Sequence, residues 1–259
     1  MSPAQTALLV LIVSAAFTVE SAIGFGSTVI TVSLGALVTS ISTVLPAYIP
    51  VNMALSGYLF VRYRRQVAWR VLAARVAPFV AIGMPVGFWA GATIPERVGV
   101  RLFGAFVIAL ALSEAAARIR ARIQVELEAS SDVAPTEPPW KTWARDVFAM
   151  TGCGVLFGMY GTGGPLAVWS FSHHARDPGV FRATLAALWF VLNSIVLARF
   201  AIDHKITRSS LLLTATFVPA LAVGTVVGEW LHRSVSAKTF RTVVFALLFG
   251  VGSVLVARS

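Results

Sequence analysis

Long apolar stretches alternate with short polar ones along this chain, and one polar motif interrupts the apolar pattern twice. Stretches 6–23, 29–43, 45–60, 71–90 and 100–116 occupy the first part; 147–160, 166–172, 183–200, 211–231 and 240–257 occupy the second. Strand-like alternation is absent, and many of the runs approach the ~20 residues a helix needs to cross a bilayer. The pattern predicts an all-α, polytopic helical membrane protein of roughly eight to ten segments, not a barrel. The interruptions are Gly24-Phe25-Gly26-Ser27-Thr28 and Gly161-Thr162-Gly163-Gly164-Pro165. Glycine at this density ends a helix, and Pro165 suits the first turn of a new one. Each place reads as helix, break, helix.

The breaks lie 137 positions apart. Beyond them Asn52 matches Asn193, Pro78 matches Pro219, Gly83 matches Gly224, Gly87 matches Gly228 and Trp89 matches Trp230, all at an offset of 141. Between Leu72 and Trp89, eight of eighteen positions are identical at that offset, more than apolar composition alone gives. The chain is therefore read as an internal duplication: a first membrane repeat at 1–117, a linker at 118–145 and a second membrane repeat at 146–259. The linker is polar, contains Pro135, Pro138 and Pro139, and alternates in charge. Its start, 115–127, is able to continue the preceding helix into water.

Only 12% of residues are charged, against about 25% in a soluble domain. That excludes a water-soluble globule. The net charge of +10 is not a nucleic-acid signature, because the basic residues sit in short loops between apolar runs. Arg62, Arg64, Arg65 and Arg70 crowd one loop, and the linker is also basic. Both are expected on the cytoplasmic side, and the two spans between them satisfy this. Five crossings per half would make the halves inverted; a re-entrant break would change the count. The N-terminal stretch lacks a basic lead and a small-residue cleavage site, so it reads as a first span, not a removed signal. Cys153 stands alone, without a disulfide or CxxC partner, and reads as a packing residue.

A helix N-terminus facing a glycine break offers free N–H groups and a positive dipole end. Transporters hold anionic groups this way near the membrane midplane; a plain helix-packing contact is the other reading. The candidate substrate-binding set is Gly24, Gly26, Ser27, Thr28, Asn52, Arg75, Gly161, Thr162, Gly163, Gly164 and Asn193. The two asparagines supply donors for an anion or interhelical bonds. Arg75 either snorkels to the interface or contacts an anion. Glu20 lies four residues before the first break; an intramembrane carboxylate is a functional hypothesis by default, here a coupling group, with a structural bond to the break as the alternative. Its counterpart is Phe157, so that role is not symmetric. His173 and His174 read as interfacial or as an anion or pH-sensing pair. Trp169 and Trp189 either wall a pocket or anchor at the interface, and Glu229 reads as solvated near a span end. No residue pattern points to a metal or a cofactor.

The chain resembles the TauE/SafE family of sulfite and organosulfonate exporters. The resemblance rests on the duplicated break, with Gly158-Met159-Tyr160-Gly161-Thr162-Gly163-Gly164-Pro165 as the stronger copy, on the Asn-bearing helix after each break, and on the paired Pro…Gly…Gly spans. It covers nearly the whole chain apart from the linker. Ser27 stands where the family pattern has a third glycine. The resemblance implies secondary transport of a small sulfur-containing anion across a bacterial inner membrane. The expected partners are that anion, the lipid bilayer, and a coupling proton or other ion. Nucleic acid is not among them, and oligomeric state is left open. A passive anion channel is the alternative. An intramembrane enzyme is less well supported, since no nucleophile–base set, GxSxG or HExxH occurs.

Overall fold

A computed structural model describes residues 1–23, 26–128, 139–171, 177–234 and 237–258. Its helices are α1 (Pro3–Ile23), α2 (Ser27–Val38), α3 (Ile41–Tyr63), α4 (Trp69–Thr93), α5 (Glu96–Glu128), α6 (Pro139–Tyr160), α7 (Gly164–Phe171), α8 (Pro178–Ile202), α9 (Arg208–Ser234) and α10 (Ala237–Arg258). No strand occurs among the described residues. Five described helices are long and apolar enough, by length and composition, to cross a membrane: Pro3–Ala22, Ile41–Gln66, Trp69–Thr93, Gly179–Ile202 and Arg208–Leu231. Large apolar side chains such as Trp89, Ile82, Val226 and Trp230 stand exposed on the outside, where lipid replaces water as their solvent. The chain is a multi-pass membrane protein.

Each break reverses the chain, so the helix after it folds back along the helix before it. At the first, Gln5 Nε2 donates to Val38 O at 3.4 Å, tying the far end of α2 to the start of α1. At the second, Ser170 Oγ on α7 donates to Asp146 Oδ1 near the start of α6 at 2.6 Å. Gly163 lies against Cys153, and a Cβ there would come within 2.5 Å of Sγ. The broken segments are helical hairpins, and each half consists of one hairpin followed by three long helices.

Small residues let the halves interlock. A Cβ on Gly83 of α4 would fall 2.2 Å from Thr151 O of α6, and one on Gly87 2.2 Å from Val155 O. A Cβ on Gly224 of α9 would fall 2.6 Å from Ser14 O of α1, and one on Gly228 2.4 Å from Thr18 O. Thr151 and Val155 are the offset mates of Ser14 and Thr18. The same backbone-on-backbone contact is thus made twice, each time between the fourth helix of one half and the first of the other, the close approach that glycine permits in membranes. Matched helices run antiparallel. In α3 and α8, Gly57 meets Phe190 while Ser194 meets Met53. In α5 and α10, Gly104 meets Leu255 while Ile108 meets Gly252.

Helix α5 continues through the start of the linker to Glu128, the extension that the sequence allowed, and α6 begins inside the linker at Pro139. In α4, residues Leu72–Val76 form a π-helical turn just before Pro78. Pro78 has no N–H for the carbonyl one turn back, and the wider turn accommodates that loss.

Candidate anion site between two hairpin tips

The tips of the two hairpins meet. Gly26 carries φ 105° and caps α2; Gly161 carries φ 64° and lets the chain leave α6. Both lie in the left-handed region that glycine adopts without strain. A cavity of about 20 Å³ lies between the tips, lined by Glu20, Gly26, Thr28, Val29, Asn52, Phe157, Thr162, Gly163, Gly164 and Trp189. The N-terminal turns of α2 and α7 both open onto it, so backbone N–H groups that no helical carbonyl takes and two positive dipole ends converge there.

Side chains make the two sides of the cavity unlike. On the first-half side the Ser27 hydroxyl hydrogen-bonds the Glu20 carboxylate and lies 2.5 Å from the Tyr48 hydroxyl. Ser27 and Tyr48 are fully buried. Asn52 Nδ2 donates to Thr28 Oγ1 at 3.3 Å, while Asn52 Oδ1 has no partner. A half-turn of that amide exchanges its ends: Thr28 then donates to Oδ1, and the NH2 group is offered to the cavity. On the second-half side Phe157 and Trp189 stack with centroids 5.9 Å apart and planes 8° from parallel. No ionisable side chain lines that side.

Two further cavities flank the centre. One of about 70 Å³ opens toward the 62–70 loop and is lined in part by Glu20, Ser56, Tyr58, Arg182, Trp189 and Glu229. The other, about 220 Å³, opens at the opposite face among Ile41, Leu45, Phe88, Gly158, Arg199 and Phe200. Offset matching pairs Arg182 with Ile41, Ala186 with Leu45, Tyr58 with Arg199, Leu59 with Phe200 and Glu229 with Phe88. The two vestibules are therefore counterparts on opposite sides of the hairpin tips. Among the described residues, no group of His, Cys, Asp and Glu is arranged to hold a metal ion.

The family model for the sulfite exporter TauE/SafE matches residues 8–255. The chain belongs to the TauE/SafE family. A relative described as "Probable inner membrane transporter protein TsaS", from Comamonas testosteroni, is 25% identical over 208 residues, covering 79% of this chain and 77% of that protein. A second, "Probable sulfite/organosulfonate exporter TauE" from Cupriavidus necator, is 23% identical over 240 residues, covering 92% and 87%. No solved structure matches.

Within this TauE/SafE chain the structure gathers Glu20, Gly26, Thr28, Asn52, Thr162, Gly163 and Gly164 around one cavity. Ser27 stands behind its wall, bonded to Glu20, and Gly161 forms the turn beside it. Gly24, His173 and His174 lie outside the described residues. Asn193 is fully buried on α8, does not line the cavity, and neither polar atom of its amide has a partner. Arg75 does not line it either; its Nη1 donates to Asp146 Oδ2 at 3.3 Å. Trp189 walls the cavity, while Trp169 lies with its ring 5.9 Å from the Arg145 guanidinium.

Sequence reasoning missed three groups. Asp146, fully buried, joins Ser170 of α7 to Arg75 in the π-helical turn and so fixes the returning arm of the second hairpin. It sits at the edge of an apolar run, and a charge at such an edge ordinarily faces water. Tyr48 gave no signal except that its offset mate is Trp189. Arg182 begins an apolar run, and nothing local marks it.

Proposed function

We propose that this protein is a secondary transporter in the bacterial inner membrane that binds a small sulfur oxyanion between its two hairpin tips. One observation carries the reading: two helix N-terminal turns from different halves of a duplicated chain open onto the same cavity beside Thr28 and Asn52. Backbone N–H groups around Gly26 and Thr162–Gly164 would meet the anion's oxygens, with the Thr28 hydroxyl and the Asn52 amide completing the set. The family membership and the exporter and transporter names of its relatives support a sulfite or organosulfonate as the anion.

At about 20 Å³ the cavity has room for roughly one water. A sulfur oxyanion enters only when the tips move apart. The two repeats, 1–117 and 146–259, joined by the 118–145 linker, would supply that motion by rocking against each other and opening one vestibule at a time. Glu20 touches both the cavity and the vestibule toward the 62–70 loop, and this supports a role for it in carrying a coupling proton between substrate and water. The Ser27 hydroxyl is held between Glu20 and the Tyr48 hydroxyl behind the cavity wall, and the family membership supports transport as the reading.

A thermal-shift screen of the purified protein against sulfite, sulfate, taurine, isethionate and sulfoacetate tests the substrate class, because a ligand that binds the folded state raises its apparent stability. Stabilisation by one of the sulfur anions is the expected result. Proteoliposomes then separate a transporter from a passive channel: accumulation against a gradient, driven by a pH difference, is expected. Equilibration without accumulation would replace the transporter by a channel.

A further inference from the structure

The vestibule toward the 62–70 loop differs from its counterpart in more than size. It shares Glu20 and Trp189 with the central cavity, whereas the opposite vestibule shares no lining residue with it. It is therefore the next compartment along a path from the basic face to the hairpin tips, and the Trp189 indole, held against Phe157, stands between the two.

Arg182 is the cation of this compartment. Among the described residues it makes no hydrogen bond and no ion pair, while Arg75 is bonded to Asp146 and Arg199 to Asp203. The groups that face it are Glu20 on α1, Tyr58 on α3 and Glu229 on α9. Glu20, which feels the Arg182 charge without forming an ion pair with it, is hydrogen-bonded by Ser27, and Glu229 stands on the exposed rim. The guanidinium fork is thus available to an oxyanion, whose oxygens it can engage in pairs. Its offset mate is Ile41, so the duplicated scaffold does not require an arginine here. The neighbouring loop is fastened to α8 by Ala68 N donating to Thr184 Oγ1 at 2.9 Å, one turn-half beyond Arg182.

We propose that Arg182 is a substrate-positioning residue that holds a sulfonate or sulfite in this vestibule before it passes Trp189 to the hairpin tips. This rests on the anion-transport reading above. It predicts a one-sided effect: loss of Arg182 weakens capture from the basic face and leaves capture from the opposite face unchanged.

A thiol-reactive organosulfonate tests this without relying on transport. In a Cys153→Ala background, Ser56→Cys places a thiol in the vestibule wall. Sulfonatoethyl methanethiosulfonate is the anionic probe and trimethylammonioethyl methanethiosulfonate the cationic control, each added from one side of sealed vesicles. Labelling by the anionic probe from the basic face is expected to saturate with concentration. Arg182→Gln should raise its half-saturating concentration about tenfold, with little change for the cation; Arg199→Gln should alter neither. Unchanged saturation in Arg182→Gln, or equally fast labelling from the opposite face, overturns the proposal. Gel filtration verifies folding, and Thr225→Cys, in the same wall, replaces Ser56→Cys if that variant does not fold. Wild-type vesicles that accumulate none of sulfite, taurine or isethionate would defeat the transport reading, while the labelling data would still decide the role of Arg182.

Discussion

The two sides of the central cavity occupy matched positions in a duplicated chain and have diverged into different chemistry. Glu20 corresponds to Phe157, Ser27 to Gly164, Thr28 to Pro165 and Tyr48 to Trp189. On one side these positions form a hydrogen-bonded chain from carboxylate through hydroxyl to phenol; on the other the mates of Glu20 and Tyr48 stack as bare rings. The matched asparagines show the consequence most plainly. Asn52 is bonded to Thr28. Asn193 has no partner, because the matching position is Pro165, which carries no hydroxyl. Where backbone packs on backbone the duplication is kept, as at Gly83 on Thr151 and Gly224 on Ser14. Among the side chains that face the cavity, Asn52 keeps an identical mate, whereas Glu20, Thr28 and Trp189 do not. Shared positions thus set the backbone packing, and the diverged ones give the cavity its two unlike sides.

Breaking the shared scaffold should cost the most, and equally in both halves. Gly87→Val and Gly228→Val each force a Cβ within 2.4 Å or less of a backbone oxygen. Each is expected to destabilise the protein by about 3 kcal/mol or more, read as loss of the monodisperse peak in detergent. A large loss in only one of the two would show that the halves do not share one packing scheme.

Breaking the diverged chemistry should leave the fold and remove the function on one side. Glu20→Gln keeps the shape of the carboxyl group but cannot release a proton. Binding and counterflow exchange should persist, while accumulation driven by a pH gradient should disappear in proteoliposomes. The matched Phe157→Leu should retain driven accumulation. A Glu20→Gln protein that still concentrates substrate would make the Glu20–Ser27 bond structural and move coupling elsewhere.

Gly26 and Gly163 sharpen the same contrast. A Cβ at Gly163 collides with Cys153, so Gly163→Val tests packing around the turn as well as backbone recognition. At Gly26 no atom lies within 4 Å of a Cβ, and only φ 105° opposes a side chain. Gly26→Ala should cost roughly 1–2 kcal/mol of stability and remain testable for transport. The smallest effect is expected at Asn193. Asn193→Leu removes a buried amide without partners and should be neutral or stabilising by about 1 kcal/mol in thermal unfolding; a clear loss would mean that the amide has a structural role.

Much of this organisation was legible from residue order. The breaks, the duplication and the matched Pro…Gly…Gly spans appear as identities at fixed offsets, and the cavity gathers most of the residues proposed from them. The reversal at each break was not legible, since apolar periodicity says how long a helix is and nothing about its direction. Arg75 illustrates another limit. Its distance in sequence from a break gave no hint of Asp146, 71 positions away, which takes its guanidinium. Asp146 itself was hidden at the edge of an apolar run. Arg182 was hidden because its significance depends on which helices enclose it, a property of the packed bundle.

Equilibrium binding of radiolabelled isethionate and sulfite to purified Asn52→Leu, beside wild type, tests the placement of the anion most directly. Asn52 lines the cavity, whereas its matched Asn193 does not, and leucine keeps the branched shape while removing the amide and its bond to Thr28. The account predicts that affinity falls at least about tenfold, ~1.4 kcal/mol, in a protein that still elutes as wild type, and that Asn193→Leu binds as wild type does. Undiminished affinity in folded Asn52→Leu would place the anion away from the hairpin tips and contradict the account.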